Sequence, residues 1–434
     1  MNDISLMIAR NLSGRLPFYY GWVVVFAAGT TTFARMAPST TTLAVFVSPM
    51  ADEFGWSRTL IAGSVSLGAL SSIFISPAVG WAVDRYGVPL ILASSMLVLG
   101  VAMVSLAWAT VPVFFYMGFA TGRVIFHVPV QIGTGALISR WFIRKRGRAI
   151  GAIYLAGAIG GIITVQIASL AISNWSIGAA WISLGVLVLA IAVLPSTLLI
   201  VDRPEAIGLH PDDQPPGSSE DCGELEPGSR GEVDWTPRQA MRTRALWLLT
   251  VVVGVLFMAQ AGISVHVGAF FLDRGLSLTA AANAITINAG VNAFASLMWG
   301  AIIERTTVRV AMTGLMFLSA TCSLSLLAVT SEGSAFVVAA LLGLVAAGGN
   351  VIPPVAFASY FGRRSIGSIR GISETGVQVG QTIGALFSGL VFDLSESYAA
   401  AFITFAALGL VSALVVNYSR PPVRASETNP ILLD

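Results

Sequence analysis

The stretch Gly80 to Arg85 reads GWAVDR, and at an offset of 220 the stretch Gly300 to Arg305 reads GAIIER. A second pair shares that offset: RWFIRKRGRAIG, ending at Gly151, and SYFGRRSIGSIRG, ending at Gly371. Two matches at one offset mark an internal repeat, so the chain reads as two similar halves. The first pair closes two apolar runs, and those runs set the class.

The chain has 434 residues, of which 55% are hydrophobic and only 11% charged, against about 25% charged in ordinary soluble domains. Twelve apolar runs reach or exceed the roughly 20 residues that cross a hydrocarbon core as a helix. They lie near 20–48, 57–83, 88–108, 112–139, 149–172, 177–201, 245–271, 279–303, 308–329, 334–360, 370–392 and 397–418, numbered here as helices 1 to 12. They are too long and too uniformly apolar for barrel strands. The first run follows Arg10 and Arg15 and is too long for a signal-peptide core, so it is read as a retained helix. The expected fold is an all-α membrane protein with twelve transmembrane helices in two six-helix bundles, 1–201 and 244–434, joined by a linker at 202–243.

Charge placement orients the chain. Of 24 Lys and Arg residues, twenty fall in the termini and even-numbered connections, Arg58 and Arg274 fall on the other side, and Arg35 and Arg123 fall inside apolar runs. The positive-inside rule then puts both termini and the linker in the cytoplasm, with the protein in the inner membrane. The linker holds six prolines and ten of the 22 acidic residues, the composition of a solvated connection. Its end, WTPRQAMRTRALW, predicts a short interfacial helix, with Thr236 as N-cap, Pro237 at the first position and Gln239 closing a capping box. The two cysteines, Cys222 in the linker and Cys322 in helix 9, suggest no disulfide framework. Six helices, a connection and six similar helices is the layout of a secondary transporter with its site between the repeats.

At this point the chain resembles the major facilitator superfamily over nearly all its length. GWAVDRYG is similar to that superfamily's loop between helices 2 and 3, carried here by Gly80, Asp84, Arg85 and Gly87, with Val88 and Pro89 where basic residues usually follow. The resemblance implies a conformational gate built from those residues and from Gly300, Glu304 and Arg305 in the second copy. YYGWVVV at helix 1, PMADEFGWSRT after it, and FDLSESYAAAF between helices 11 and 12 resemble the monocarboxylate and oxalate/formate branch. Carriers of that branch commonly charge helix 8, where this chain offers Asn283, Asn288 and Asn292. The resemblance also implies that helices 1, 4, 7 and 10 line the central cavity.

A charged side chain at mid-membrane costs about 2.5 to 3.5 kcal/mol on insertion scales, so it normally faces a partner or a cavity. Arg123, His127 and Gln131 are spaced to share one face of a continuous helix 4, and Arg35 is about as deep in helix 1, ahead of an expected break at Pro38. Gln260 and Asn350 lie on helices 7 and 10. Two guanidiniums in low dielectric suit the carboxylate of a small organic anion. A plainer role is open to them, bonding carbonyls freed near Pro38 or snorkelling outward. His127, beside Arg123, is expected to be neutral, with its protonation assisting substrate entry. Glu374 is expected to pair with Arg370 one turn away, or with the signature loop, as part of the gate.

The expected function is therefore alternating-access transport of a mono- or dicarboxylate, with Arg35, Arg123, His127, Gln131, Gln260 and Asn350 as the binding residues. Carriage of a larger neutral or aromatic solute, and a transporter-like sensor, are the alternatives. A membrane enzyme is disfavoured, because no nucleophile, base and orienter set or metal-ligand cluster is visible. The expected partners are an anionic small molecule, a proton or counter-anion, and membrane lipid. No cofactor, metal or nucleic acid is expected, and the carrier is expected to be a monomer.

Overall fold

The computed structural model describes residues 2–213 and 234–422; Cys222 and the predicted middle of the linker lie outside the described residues. Among the described residues the chain is helical without strands, and eleven helices are long and apolar enough to cross a membrane. Helix 1 makes the twelfth crossing in two pieces, Gly21–Ala34 and Thr40–Phe54. Its break falls at Pro38 as expected, and Ser39 restarts the helix by accepting a hydrogen bond from the Thr42 amide at 3.2 Å.

Helices 2, 3 and 5 are Arg58–Tyr86, Val88–Ser105 and Arg146–Asn174. Helices 8 to 12 are Leu278–Arg305, Val308–Ser325, Glu332–Phe361, Ile366–Ser395 and Ala399–Val416. Three others depart from the continuous helices read from sequence. Helix 4 is Pro112–His127 followed by Pro129–Trp141, because Pro129 has no N–H to donate and distorts the helical turn at Val128 (φ −109°, ψ −74°). Helix 6 (Ile177–Val188) widens into a π-turn over Leu189–Val193 just ahead of Pro195. Helix 7 is Arg244–Ser264 and Val267–Asp273, broken at Val265 and His266 without a proline. There the His266 imidazole bonds the Ala385 carbonyl at 3.2 Å and the Tyr398 hydroxyl at 3.3 Å.

A further helix, Asn2–Ser13, precedes helix 1 and is too short to register as an apolar run. It buries Ala9, and Arg10 donates to the Ala206 carbonyl at 3.2 Å. The predicted linker helix is Pro237–Met241, with the Thr236 and Gln239 capping box in place. The ends of the linker are bound, not free. Asp212 accepts from the Ile143 and Arg144 amides (2.8 and 2.7 Å), and Asp234 accepts from the Arg363 and Arg364 amides (3.1 and 3.0 Å), positions that match at the 220 offset.

The two bundles meet where helix 2 packs on helix 11 and helix 5 on helix 8. Glycine makes this approach possible. A Cβ on Gly80 would stand 2.5 Å from the Gly367 carbonyl oxygen, and one on Gly300 would stand 2.5 Å from that of Gly147. The bundle-to-bundle hydrogen bonds described lie from Thr375 and Ser296 toward the face that carries the linker, so that face is closed.

Candidate functional site

Two sets of polar residues stand apart, one on the seam at the linker face and one at the centre. On the seam, Asp84 accepts from the Gly367 and Ser368 amides at 3.0 and 2.6 Å. Those amides open helix 11, so a carboxylate from one bundle caps a helix of the other, where unpaired N–H groups and the helix dipole favour negative charge. Arg140, almost fully buried, holds Asp84 at 3.0 Å and Asp202 at 2.5 Å. Asp202 in turn accepts from the Val88 amide at 2.8 Å, starting helix 3 after Gly87, whose φ of +85° suits glycine.

The second copy is built the same way. Glu304 accepts from the Arg148 amide at 2.8 Å near the start of helix 5, and its other oxygen meets the Arg148 guanidinium at 2.8 Å. Arg85 and Arg305, grouped with the gate by sequence, are exposed, and their side chains make no hydrogen bond or ion pair among the described residues. The basic partners are Arg140 and Arg148, both among the twenty Lys and Arg residues of the termini and even-numbered connections whose placement orients the chain. Their signal was available: Arg148 and Ser368 are equivalent at the 220 offset.

At the centre the breaks of helices 1 and 4 face each other, and each arginine reaches the other helix. Arg35 Nη1 donates to the Phe126 carbonyl at 3.1 Å and to Gln131 Oε1 at 2.8 Å. Arg123 Nη1 reaches the Pro38 carbonyl at 3.4 Å, and its Nη2 donates to His127 Nε2 at 2.8 Å. The plainer role foreseen for the arginines is thus partly filled, since each bonds a carbonyl beside a helix break. Phe126 lies under both guanidiniums, 5.0 and 4.8 Å from ring centre to Cζ, an arrangement that favours cations. Both side chains are 6% exposed, and the Nε of each is buried without a partner.

The single polar face drawn for helix 4 is interrupted by its break. Arg123 and His127 stay together, but Gln131 turns to Arg35 and donates from Nε2 to the Tyr154 hydroxyl at 2.5 Å. A guanidinium only donates, so His127 Nε2 accepts from Arg123 and the imidazole is neutral there. Gln260, half-buried, donates to the Val345 carbonyl at 3.3 Å, and the side chain of half-buried Asn350 makes no hydrogen bond among the described residues. Neither joins the arginine cluster by a hydrogen bond.

Glu374 sits deeper than a linker-face gate. It meets Arg370 Nη2 at 3.5 Å and accepts from Gln378 Nε2 at 3.3 Å. Tyr154, also missed from sequence, is its equivalent at the 220 offset. An apolar crevice of about 940 Å³ between helices 2, 3 and 4, bordered by Leu67, Ile75, Val113 and Met117, holds none of these charged side chains.

No curated protein sequence matches the chain. Among solved structures it is similar to the human organic anion transporter MFSD10 (TETRAN), with TM-score 0.71 and 14% identity over 91% of this chain and 99% of that one. FucP, a Major Facilitator Superfamily transporter in the outward conformation, matches with TM-score 0.68 and 13% identity, covering 92% and 99% of the two chains. The proton:xylose symporter XylE, bound to 6-bromo-6-deoxy-D-glucose, matches with TM-score 0.66 and 13% identity over 92% and 95%. The Major Facilitator Superfamily sequence model matches residues 21–331 and 269–432. The chain therefore belongs to the Major Facilitator Superfamily, a multi-pass membrane protein with the family and fold of secondary transporters rather than of enzymes.

Proposed function

We propose that the protein carries a small organic anion, with Arg35 and Arg123 holding its carboxylate. The observation that carries this reading is the pair of buried guanidiniums where two broken helices cross, each with a buried N–H that no protein atom satisfies. Unsatisfied donors in a buried site are costly, and a bidentate anion meets them with charge-assisted bonds. Broken helices at mid-membrane are where transporters of this architecture bind solute. The similarity to an organic anion transporter agrees with this reading.

His127, Gln131 and Tyr154 orient the arginines from one bundle; Gln260 and Asn350 face the solute from the other. With termini and linker in the cytoplasm, the closed linker face is the outward-facing state, and the seam at Asp84 and Glu304 opens when the bundles rock. Thermal-shift titration of the purified carrier with a panel of organic acids tests the reading, because ligand at 100 times its Kd adds about 2.7 kcal/mol. Stabilisation by carboxylates that vanishes in Arg35→Gln and Arg123→Gln is the expected result. Equal stabilisation of both variants and the parent protein would overturn the site.

A further inference from the structure

The two bundles pack helix 4 and its counterpart, helix 10, in different ways, and the apolar crevice beside helix 4 lies where they differ. A Cβ on Gly343 would overlap the Asn288 carbonyl oxygen, so helices 8 and 10 touch through backbone. At the matching pair, a Cβ on Gly68 would instead meet the side chain of Arg123. Helix 4 presents a side chain where helix 10 presents backbone. At the 220 offset the crevice residues Val79, Ser95, Thr121 and Val124 answer to Trp299, Leu315, Leu341 and Leu344, each of them larger. Trp299 is buried against helix 10, its Nε1 donating to the Leu344 carbonyl at 2.9 Å. The first bundle leaves the matching space open.

We propose that this crevice is a lipid site: it holds phospholipid acyl chains, one reaching in from each leaflet, which do for helix 4 what Trp299 and its neighbours do for helix 10. Along helix 2 the crevice runs from Leu60 to Ala82, about 33 Å of helix, against a hydrocarbon core of about 30 Å. Its volume of about 940 Å³ spread over that depth is a bore roughly 6 Å across, whereas a helix with its side chains needs about 10 to 12 Å. A helix from a second copy is too thick for it. A polymethylene chain fits, since carbon atoms in contact lie about 4 Å apart. The lining carries no charged side chain, and the Tyr116, Thr121 and Ser94 hydroxyls already donate to the Leu60, Met117 and Ile91 carbonyls. Those hydroxyls ask nothing polar of the occupant. Leu67, Val113 and Met117 are exposed at the mouth, so a chain enters sideways from the bilayer. Inside, it packs on Val124 and Ile125 ahead of the helix 4 break and on Pro129 beyond it, restoring dispersion contacts that an unfilled void forfeits. The site is independent of the solute bound at the centre.

The test places the full-length carrier in vesicles of phosphatidylethanolamine and phosphatidylglycerol, with a trace of phosphatidylcholine that carries a photoreactive diazirine at the end of one acyl chain. Peptide mass spectrometry then maps the crosslinks. Labelling of Leu67, Ser71 and Met117 should exceed that of Phe317 and Val411, exposed positions on helices 9 and 12, by about fivefold or more. The double variant Val79→Trp, Thr121→Leu fills the crevice as the second bundle does, and should bring the three down to the level of Phe317 and Val411. Unchanged labelling at those two reference positions shows that the variant folds. Should it not fold, Ser95→Leu with Val124→Leu, which copies Leu315 and Leu344, carries the same expectation. Crevice labelling no stronger than at Phe317 and Val411 in the parent protein, or undiminished in a folded filled variant, overturns the lipid site. Dimers trapped by oxidation of Met117→Cys would give the crevice to a second copy and overturn it as well.

Discussion

The seam and the centre obey opposite rules. Along the seam the caps and the close approaches appear twice at an offset of 220: Asp84 and Glu304 as caps, Gly80 and Gly300 against Gly367 and Gly147. At the centre nothing is repeated. The positions equivalent to Arg35, Arg123, His127 and Gln131 are Val255, Gly343, Ala347 and Val351. Backbone contact tolerates only a narrow set of side chains, so both copies keep the same solution; the centre has room for chemistry, and one half supplies most of it.

The sharpest way to break this contrast is to remove charge from one side of the centre. Arg35→Gln should weaken anion binding about 100-fold, since hydrogen bonds to charged groups contribute about 1.5 to 3 kcal/mol each, whereas Val255→Ala at the equivalent position should change it less than about threefold. Calorimetric affinities check both. A comparable loss in the two variants would make the centre as two-sided as the seam.

Gly80→Ala and Gly300→Ala should each hinder closure of the linker face, because overpacking costs about 1 to 3 kcal/mol. Exchange rates in proteoliposomes should fall about tenfold in both. If one glycine proves silent, the seam is less symmetric than its geometry.

Asp84→Asn should cost about 1 to 2 kcal/mol of closed linker face, the scale of a lost cap with its dipole contribution. Distances between spin labels across that face should lengthen, while anion affinity stays within about threefold. Glu304→Gln, with a more exposed partner in Arg148, should act in the same direction and less strongly. At the bottom of the range, Arg85→Gln should leave the same distances unchanged and transport within about twofold, because exposed charges away from partners matter little.

Much of this was legible in sequence. Length and hydropathy placed the crossings, the offset placed the repeat, and Pro38 and the Thr236 box placed a break and a helix start. The breaks at Val128 and His266 were not: Pro129 was visible without its effect on register being drawn, and helix 7 breaks without a proline. Arg35 and Arg123 stood out because charge is rare in such runs. Their partners did not, since Phe126 and Pro38 come near only after folding, and a carbonyl has no sequence signature. Arg140 was hidden among neighbours whose charge serves orientation, although it is the most buried member of that run.

The reciprocal caps have a consequence for how such a chain can arise. Each bundle gives a carboxylate to the other and receives one on the matching helix, which is the arrangement of a two-fold homodimer interface. A true homodimer of the first half would bring its own pair of arginines from each protomer, four guanidiniums at the axis. Joining the halves in one polypeptide releases them from that duplication. One side can then keep the cations while the other places Glu374 where its mate carries Tyr154, so covalent fusion is what permits a lopsided charge on a symmetric hinge.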